Sequence, residues 1–171
     1  MKILIFGLPG SGKTTLAKPF ADLISAVHIN ADAVRTQYDD WDFTPEGRIR
    51  QAQRMRHLAD GVVMAGKIAV ADFVCPTEQA RTEFAPDYTV WMDTIEEGRF
   101  EDTNKMFEPA EAADFIVTEH MTEEEVPAFA QEVLQHIEKK PAVVQVDGYN
   151  DEWAAPFGDS NSVPDFIRGE R

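Results

Sequence analysis

The sequence predicts an α/β fold of three layers, with a central, mainly parallel five-stranded sheet flanked by helices. Two observations predict it. Short apolar runs alternate with amphipathic segments along most of the chain, the pattern of strands joined by helical crossovers. The first run, Ile3-Leu4-Ile5-Phe6, leads into Gly7-Leu8-Pro9-Gly10-Ser11-Gly12-Lys13-Thr14-Thr15, and the apolar spacing of Leu16, Phe20, Leu23 and Ile24 follows as a helix. The order strand, G-x-x-x-x-G-K-T, helix is the context in which that spacing becomes a phosphate-binding loop.

The loop implies specific chemistry. Gly7, Gly10 and Gly12 let the backbone fold into an anion-binding nest of N–H groups, with Pro9, Ser11 and Thr15 completing the nucleotide-binding loop, and the helix N-terminus adds partial positive charge behind it. Lys13 reaches the β- and γ-phosphates, and the Thr14 hydroxyl is placed to ligate Mg²⁺. The expectation is a P-loop NTPase fold with ATP and Mg²⁺ as cofactors.

Composition bounds the rest. A chain of 171 residues, 43% hydrophobic, is long enough for one substantial core. No stretch approaches the roughly 18 apolar residues of a membrane span. The first strand starts at Lys2, which predicts no signal peptide. Cys75 is the only cysteine, so an internal disulfide is excluded and a cytoplasmic location expected. A net charge of −15 argues against general nucleic-acid or membrane partners. Against that background, Arg35, Arg48, Arg50, Arg54, Arg56, Lys67 and Arg81 gather in one region, which suggests a small anionic substrate.

The second strand, Ala26–Ile29, ends in Asn30-Ala31-Asp32. Strand carboxyl ends form the ligand crevice of open α/β sheets, so Asp32 should face the phosphates with Arg35 just beyond. Tyr38 to Phe43 reads as an irregular loop. Thr44-Pro45-Glu46-Gly47 then starts a long helix, with Thr44 as N-cap and Pro45 in its first turn, running to about Ala65. Met55, Leu58, Ala59 and Val62 share its core face. Arg48 and Gln51 fall on that same face, so Arg48 should point into the site, whereas Arg50, Arg54 and Arg56 read as a solvated face.

Lys67–Val74 is a third strand. Its Asp72 is either a second magnesium carboxylate or a structural hydrogen-bond acceptor. Cys75, read as a buried apolar residue, and Pro76 break the strand, and Thr77 caps a short helix holding Glu78, Arg81 and Phe84. Tyr88–Met92 is the fourth strand, Ile95–Glu111 a mobile lid, and Phe115–Val117 the fifth strand. Thr122-Glu123-Glu124-Glu125 opens a last helix that closes on Lys139-Lys140. This divides the chain into a catalytic domain, 1–140, and an extension, 141–171. In the extension Ala142–Val146 fits a further strand, and the remainder is an irregular tail that wraps the body, stays partly disordered or joins a subunit contact, as in a homodimer.

Asn104-Lys105-Met106-Phe107 lacks the Asp of the N-K-x-D base-reading motif, which points away from a GTPase and, with the chain's size and early arginines, toward a small-molecule kinase. From about residue 3 to 138 the chain resembles the adenylyl-sulfate kinases. Their Asp-Gly-Asp-x-x-Arg signature reads Asn30-Ala31-Asp32-Ala33-Val34-Arg35 here, and their Gly-Phe-Ser-x-x-x-Arg-x-x-Asn stretch reads Asp42 to Gln51. Their Phe-Ile-Ser-Pro reads Phe73-Val74-Cys75-Pro76, and their lid Lys-x-Phe reads Lys105-Met106-Phe107.

The resemblance implies transfer of the γ-phosphate of ATP to the 3′-hydroxyl of adenosine 5′-phosphosulfate. It implies Asp32 as general base with Lys13 on the phosphates. Arg35, Arg48, Gln51, Phe73, Val74, Arg81 and Lys105 would bind the substrate, whose adenine would lie between Phe43 and Phe107. The chain departs from the pattern at Asn30, Ala31, Gln51 and Cys75, and Glu108-Pro109 stands where the family lid runs on. A kinase of another nucleotide or of a polynucleotide end, and an ATP-binding protein without turnover, are the alternative readings.

Overall fold

The computed structural model describes residues 1–139. The expected extension 141–171, with its candidate strand at 142–146, lies outside them. Two compact units divide the chain, Met1–His136 and Ile137–Arg171. Only the end of the last helix represents the second unit among the described residues.

Among the described residues five strands form one sheet: β1 (Lys2–Gly7), β2 (Val27–Asn30), β3 (Ala69–Phe73), β4 (Tyr88–Met92) and β5 (Phe115–Val117). Their order is β2-β3-β1-β4-β5 and every pairing is parallel. Helices α1 (Lys13–Leu23), α2 (Ala31–Tyr38), α3 (Pro45–Met64), α4 (Glu78–Phe84), α5 (Glu101–Met106) and α6 (Val126–Lys139) complete the layers. The connection from β1 departs toward β2 and the one from β3 toward β4. A crevice therefore opens beyond the carboxyl ends of these two neighbours, the switch point of the sheet.

Strand β1 anchors the core. Ile3, Leu4, Ile5 and Phe6 are fully buried, each contributing up to roughly 1.5–3 kcal/mol in apolar burial. On β3, Ala69, Val70 and Ala71 are equally sealed, and Met55 and Ala59 of α3 and Phe84 of α4 close one side of the sheet. No described helix is long and apolar enough to cross a membrane.

Most elements match the sequence reading. Within Ile95–Glu111, read as a lid, the chain forms α5, and three further elements differ for identifiable reasons. Helix α2 was not expected. Asn30 leaves β2 in extended geometry and its side chain accepts from the Ala33 N–H at 3.0 Å, so the helix starts with no intervening loop. Strand β3 begins at Ala69, because Lys67 N–H is committed to the Val62 carbonyl in the turn that closes α3. Helix α6 begins at Val126, not Thr122. Pro127 is tolerated only in a first helical turn, and Glu125 instead folds back to accept from the Thr122 N–H and hydroxyl at 2.7 and 2.8 Å.

Candidate active site

The crevice is a cleft of about 640 Å³ over the ends of β1, β2 and β3. Its floor is built by Pro9, Gly10, Gly12, Lys13, Thr14 and Thr15; of the loop residues expected to bind, Gly7 and Ser11 are buried and do not line it. Gly12 takes φ 88° and no side chain caps α1, so the first-turn N–H groups stay open to an anion. At Gly7, φ is 155° and an added Cβ would lie 2.5 Å from the Met92 carbonyl oxygen, so only glycine lets the loop leave the sheet here. The Thr94 hydroxyl ties the buried Ser11 carbonyl to the end of β4 at 2.7 Å.

Lys13 folds over this floor and donates to the Leu8 carbonyl at 2.9 Å. Burial pushes its ammonium down to a pKa of about 8, against the opposing pull of Asp72 and Asp32. Thr14 Oγ1 donates to Asp72 Oδ2 at 2.5 Å. Asp72, 1% exposed, also accepts from His28 and Asn30. Asp32 stands exposed in the first turn of α2, close enough to act electrostatically on both Lys13 and Arg35.

The opposite wall is cationic and aromatic. Arg35 is 5% exposed, with its guanidinium 4.5 Å from the centre of the Phe43 ring and Nη1 donating to the Asp40 and Asp42 carbonyls. Arg48 approaches the same ring at 5.6 Å and donates to the Phe43 carbonyl and, at 3.0 Å, to Thr103 Oγ1. Desolvation is the main cause lowering both guanidinium pKa values. Gln51 is buried, donating to the Ala31 carbonyl and accepting from Arg54. Arg54 is therefore no solvated side chain: it bridges Gln51 and Asp40 and lies 4.4 Å from the Tyr38 ring centre. Arg50 and Arg54 together hold the Asp40 carboxyl well below the usual carboxylate range.

Lys13, Thr14, Asp32, Arg35, Phe43, Arg48, Gln51, Phe73 and Val74 thus line one cleft. Three expected substrate residues are not part of its lining. Arg81 spends its guanidinium on the Cys75, Pro76 and Glu108 carbonyls and stacks over Phe6. Lys105 is 74% exposed and pairs with Glu101 one helical turn away. Phe107 is half-buried, with the Phe6 and Trp91 rings 6.4 and 6.3 Å away, and it lines a smaller neighbouring pocket with Leu8, Ile95 and Asn104. The cleft instead receives Trp41, Arg99 and Phe100, which the sequence reading did not assign. Trp41 and Phe100 are about half exposed, and large aromatics left half-open at a concave site are the signal for a planar ligand. Cys75 is buried with its thiol pKa pushed up by desolvation, as expected of a packing residue.

Mg²⁺ fits the oxygen donors present. The Thr14 hydroxyl and the Asp72 and Asp32 carboxylates are hard ligands, and among the described residues no cluster of three or more His, Cys, Asp or Glu side chains forms a closed metal cage. A cation that keeps its waters and leans on substrate phosphates needs no such cage.

A family model described as adenylylsulphate kinase matches residues 1–112. A protein of Aeropyrum pernix named "Probable adenylyl-sulfate kinase" is 36% identical over 85 residues, 46% of this chain, and the match likewise spans 46% of that relative. Among solved structures, the Mycobacterium tuberculosis APS kinase CysC in complex with AMPPNP and APS has a TM-score of 0.64 at 18% identity, covering 80% of this chain and 96% of that one. The shikimate kinase of Aquifex aeolicus has a TM-score of 0.57 at 17% identity, covering 81% and 96%. At these identities the structural likeness establishes the fold alone.

Proposed function

Since the chain belongs to the adenylylsulphate kinase family, a family of ATP-dependent kinases, we propose that it moves the γ-phosphoryl group of ATP to the 3′-hydroxyl of adenosine 5′-phosphosulfate. The observation that carries this reading is convergence: Lys13 and Asp32 open into the same cleft as Arg35, Arg48 and Phe43. A triphosphate on the loop and an anionic nucleotide on the arginines would meet at Asp32.

Each residue then has a task. Lys13, desolvated and hungry for anionic partners, takes the β- and γ-phosphates in exchange for the Leu8 carbonyl. Arg35 and Arg48 hold the acceptor's phosphosulfate, so that reaction begins from a near-attack geometry. Asp32 accepts the proton of the attacking hydroxyl. Phe43 stacks on the base, and Phe100 and Trp41, not Phe107, are the aromatics available for its other face. Mg²⁺, held by the Thr14 hydroxyl with Asp72 behind it, would supply charge neutralisation between the phosphates.

One observation favours a second reading, a kinase of a different small anionic acceptor: the aromatic that the family resemblance assigns to the base lies against Phe6 and Trp91 and does not line the cleft. ADP release measured with adenosine 5′-phosphosulfate, adenylate, shikimate, gluconate and a 5′-hydroxyl oligonucleotide separates the two. Adenosine 5′-phosphosulfate is expected to give the highest kcat/KM. A higher value with another acceptor replaces the substrate assigned here, and ATP binding without release on any of them would leave a nucleotide-binding protein.

A further inference from the structure

Resting on the reading of the loop as an Mg²⁺–nucleotide site, we infer that His28 is a positioning residue. Its imidazole holds Asp72 so that the Thr14 hydroxyl turns a lone pair, and not its proton, toward the cation.

Asp72 lies on β3 directly opposite Asn30 of β2 in the parallel register, and His28 is two residues before Asn30. Residues two apart on a strand share a face, so His28, Asn30 and Asp72 converge on one side of the sheet. His28 Nε2 meets Asp72 Oδ1 at 2.8 Å. A carboxylate only accepts, so this nitrogen carries the proton. Thr14 Oγ1 meets the other oxygen, Oδ2, at 2.5 Å. A hydroxyl has one proton, and with that proton given to Asp72 its oxygen is left only to accept: one lone pair faces the Asn30 amide nitrogen at 3.3 Å and the other stays open to a cation.

Asn30 cannot set this arrangement alone. Its amide nitrogen spans both carboxylate oxygens at 3.1 and 3.2 Å and also reaches Thr14 Oγ1 at 3.3 Å, so it does not distinguish Oδ1 from Oδ2, while its oxygen caps α2. His28 is the side chain that binds Oδ1 selectively, and that leaves Oδ2 aimed at Thr14. His28 does not line the cleft, so it acts through Asp72. The network also accounts for a departure in the sequence. Position 30 carries Asn where the resembled signature has an acid, and the register partner of Asn30 on β3 brings a carboxylate to the same spot.

The test is calorimetric titration of ADP into the full chain, with Mg²⁺ and with EDTA, for the wild type, His28→Leu and His28→Gln. In the wild type Mg²⁺ should tighten ADP binding. In His28→Leu that tightening should fall about tenfold or more, the usual cost of losing an outer-shell partner, with the EDTA affinity unchanged. His28→Gln, which restores an N–H donor, should recover it. Undiminished tightening in His28→Leu, or an equal loss in EDTA, overturns the inference while leaving the nucleotide site intact. A wild type that does not bind ADP overturns the nucleotide reading itself. Should His28→Leu fail to fold, the wild type decides by ¹H–¹⁵N spectroscopy: His28 should carry a proton on Nε2 and shift when Mg²⁺ joins the ADP complex. A bare Nε2, or no shift, overturns it.

Discussion

The guanidinium of Arg35 lies 4.5 Å from the centre of the Phe43 ring, so a cation that is 5% exposed rests on a ring that is 49% exposed. Arg48 and the Trp41 ring also lie near that ring, at 5.6 and 6.4 Å from its centre, and it stays half open to the cleft. The Arg35 contact is worth roughly 0.5–2 kcal/mol according to its desolvation, and stacking a base on the open part of the ring about 0.5–1.5 kcal/mol more. Phe43→Ala should therefore raise the acceptor KM about tenfold and leave the ATP KM unchanged, while Phe43→Tyr stays near the wild type. Steady-state kinetics with each substrate varied in turn checks this; an unmoved acceptor KM removes Phe43 from the acceptor site.

The Asp32 carboxylate makes no hydrogen bond among the described residues, while the Asp32 carbonyl accepts from the Thr36 hydroxyl, and the carboxylate acts electrostatically on both Lys13 and Arg35. A carboxylate poised between the phosphate end and the arginine end is placed for the acceptor hydroxyl. Asp32→Asn should lower kcat about 10²–10⁴-fold, the range of general base catalysis, with ATP affinity held within about threefold. Turnover by rapid quench and affinity by titration give the two numbers. Near-normal turnover would falsify the assignment.

Sequence and structure agree best where the information is local. Strand, loop and α1 are legible from Ile3 to Ile24 because the phosphate-binding geometry depends on consecutive residues. Arg48 and Gln51 were legible as well, since helical phase alone turns them inward with Met55 and Ala59. Helix α2 was missed because it is only eight residues long and its cap, Asn30, is also the end of a strand. Arg81 and Phe107 illustrate the other limit. Matched motif positions say which residue type stands there, while packing decides where it points, and both side chains turn toward Phe6. Trp41 and Phe100 were invisible for the converse reason: nothing local distinguishes an aromatic at a cleft mouth from one in a core.

Lys13 couples nucleotide binding to pH. Its pKa falls from 10.5 to about 8 in the folded, nucleotide-free protein. With the folded value below the unfolded one, the unfolded chain binds more protons between those limits, so this group makes stability rise with pH across about 8 to 10.5. Triphosphate favours the charged ammonium, so binding above pH 8 must take up a proton and affinity must fall there. Calorimetry of ADP binding near pH 8.5 in buffers of different ionisation enthalpy should show proton uptake in the wild type and much less in Lys13→Met. Equal uptake in both would assign the proton to another group.

Arg81 is the sharpest discriminator between a binding role and a structural one. Its guanidinium joins the Cys75 and Pro76 carbonyls, at the end of β3, to the Glu108 carbonyl beyond α5. Glu108 reinforces the same junction, donating its N–H to the Pro76 carbonyl and accepting from the Glu78 N–H. The side chain of Arg81 is 11% exposed; without it the part-buried Cys75 carbonyl loses its donor, whereas the Pro76 carbonyl keeps the Glu108 N–H and the Glu108 carbonyl is open to water. Arg81→Met should thus cost about 1–3 kcal/mol in urea unfolding, the range for one unsatisfied buried acceptor. At temperatures where the variant remains folded, its acceptor KM should stay within about twofold, because the guanidinium does not line the cleft. The opposite pattern, intact stability with a KM raised tenfold or more, would mean that Arg81 swings into the cleft when the acceptor binds.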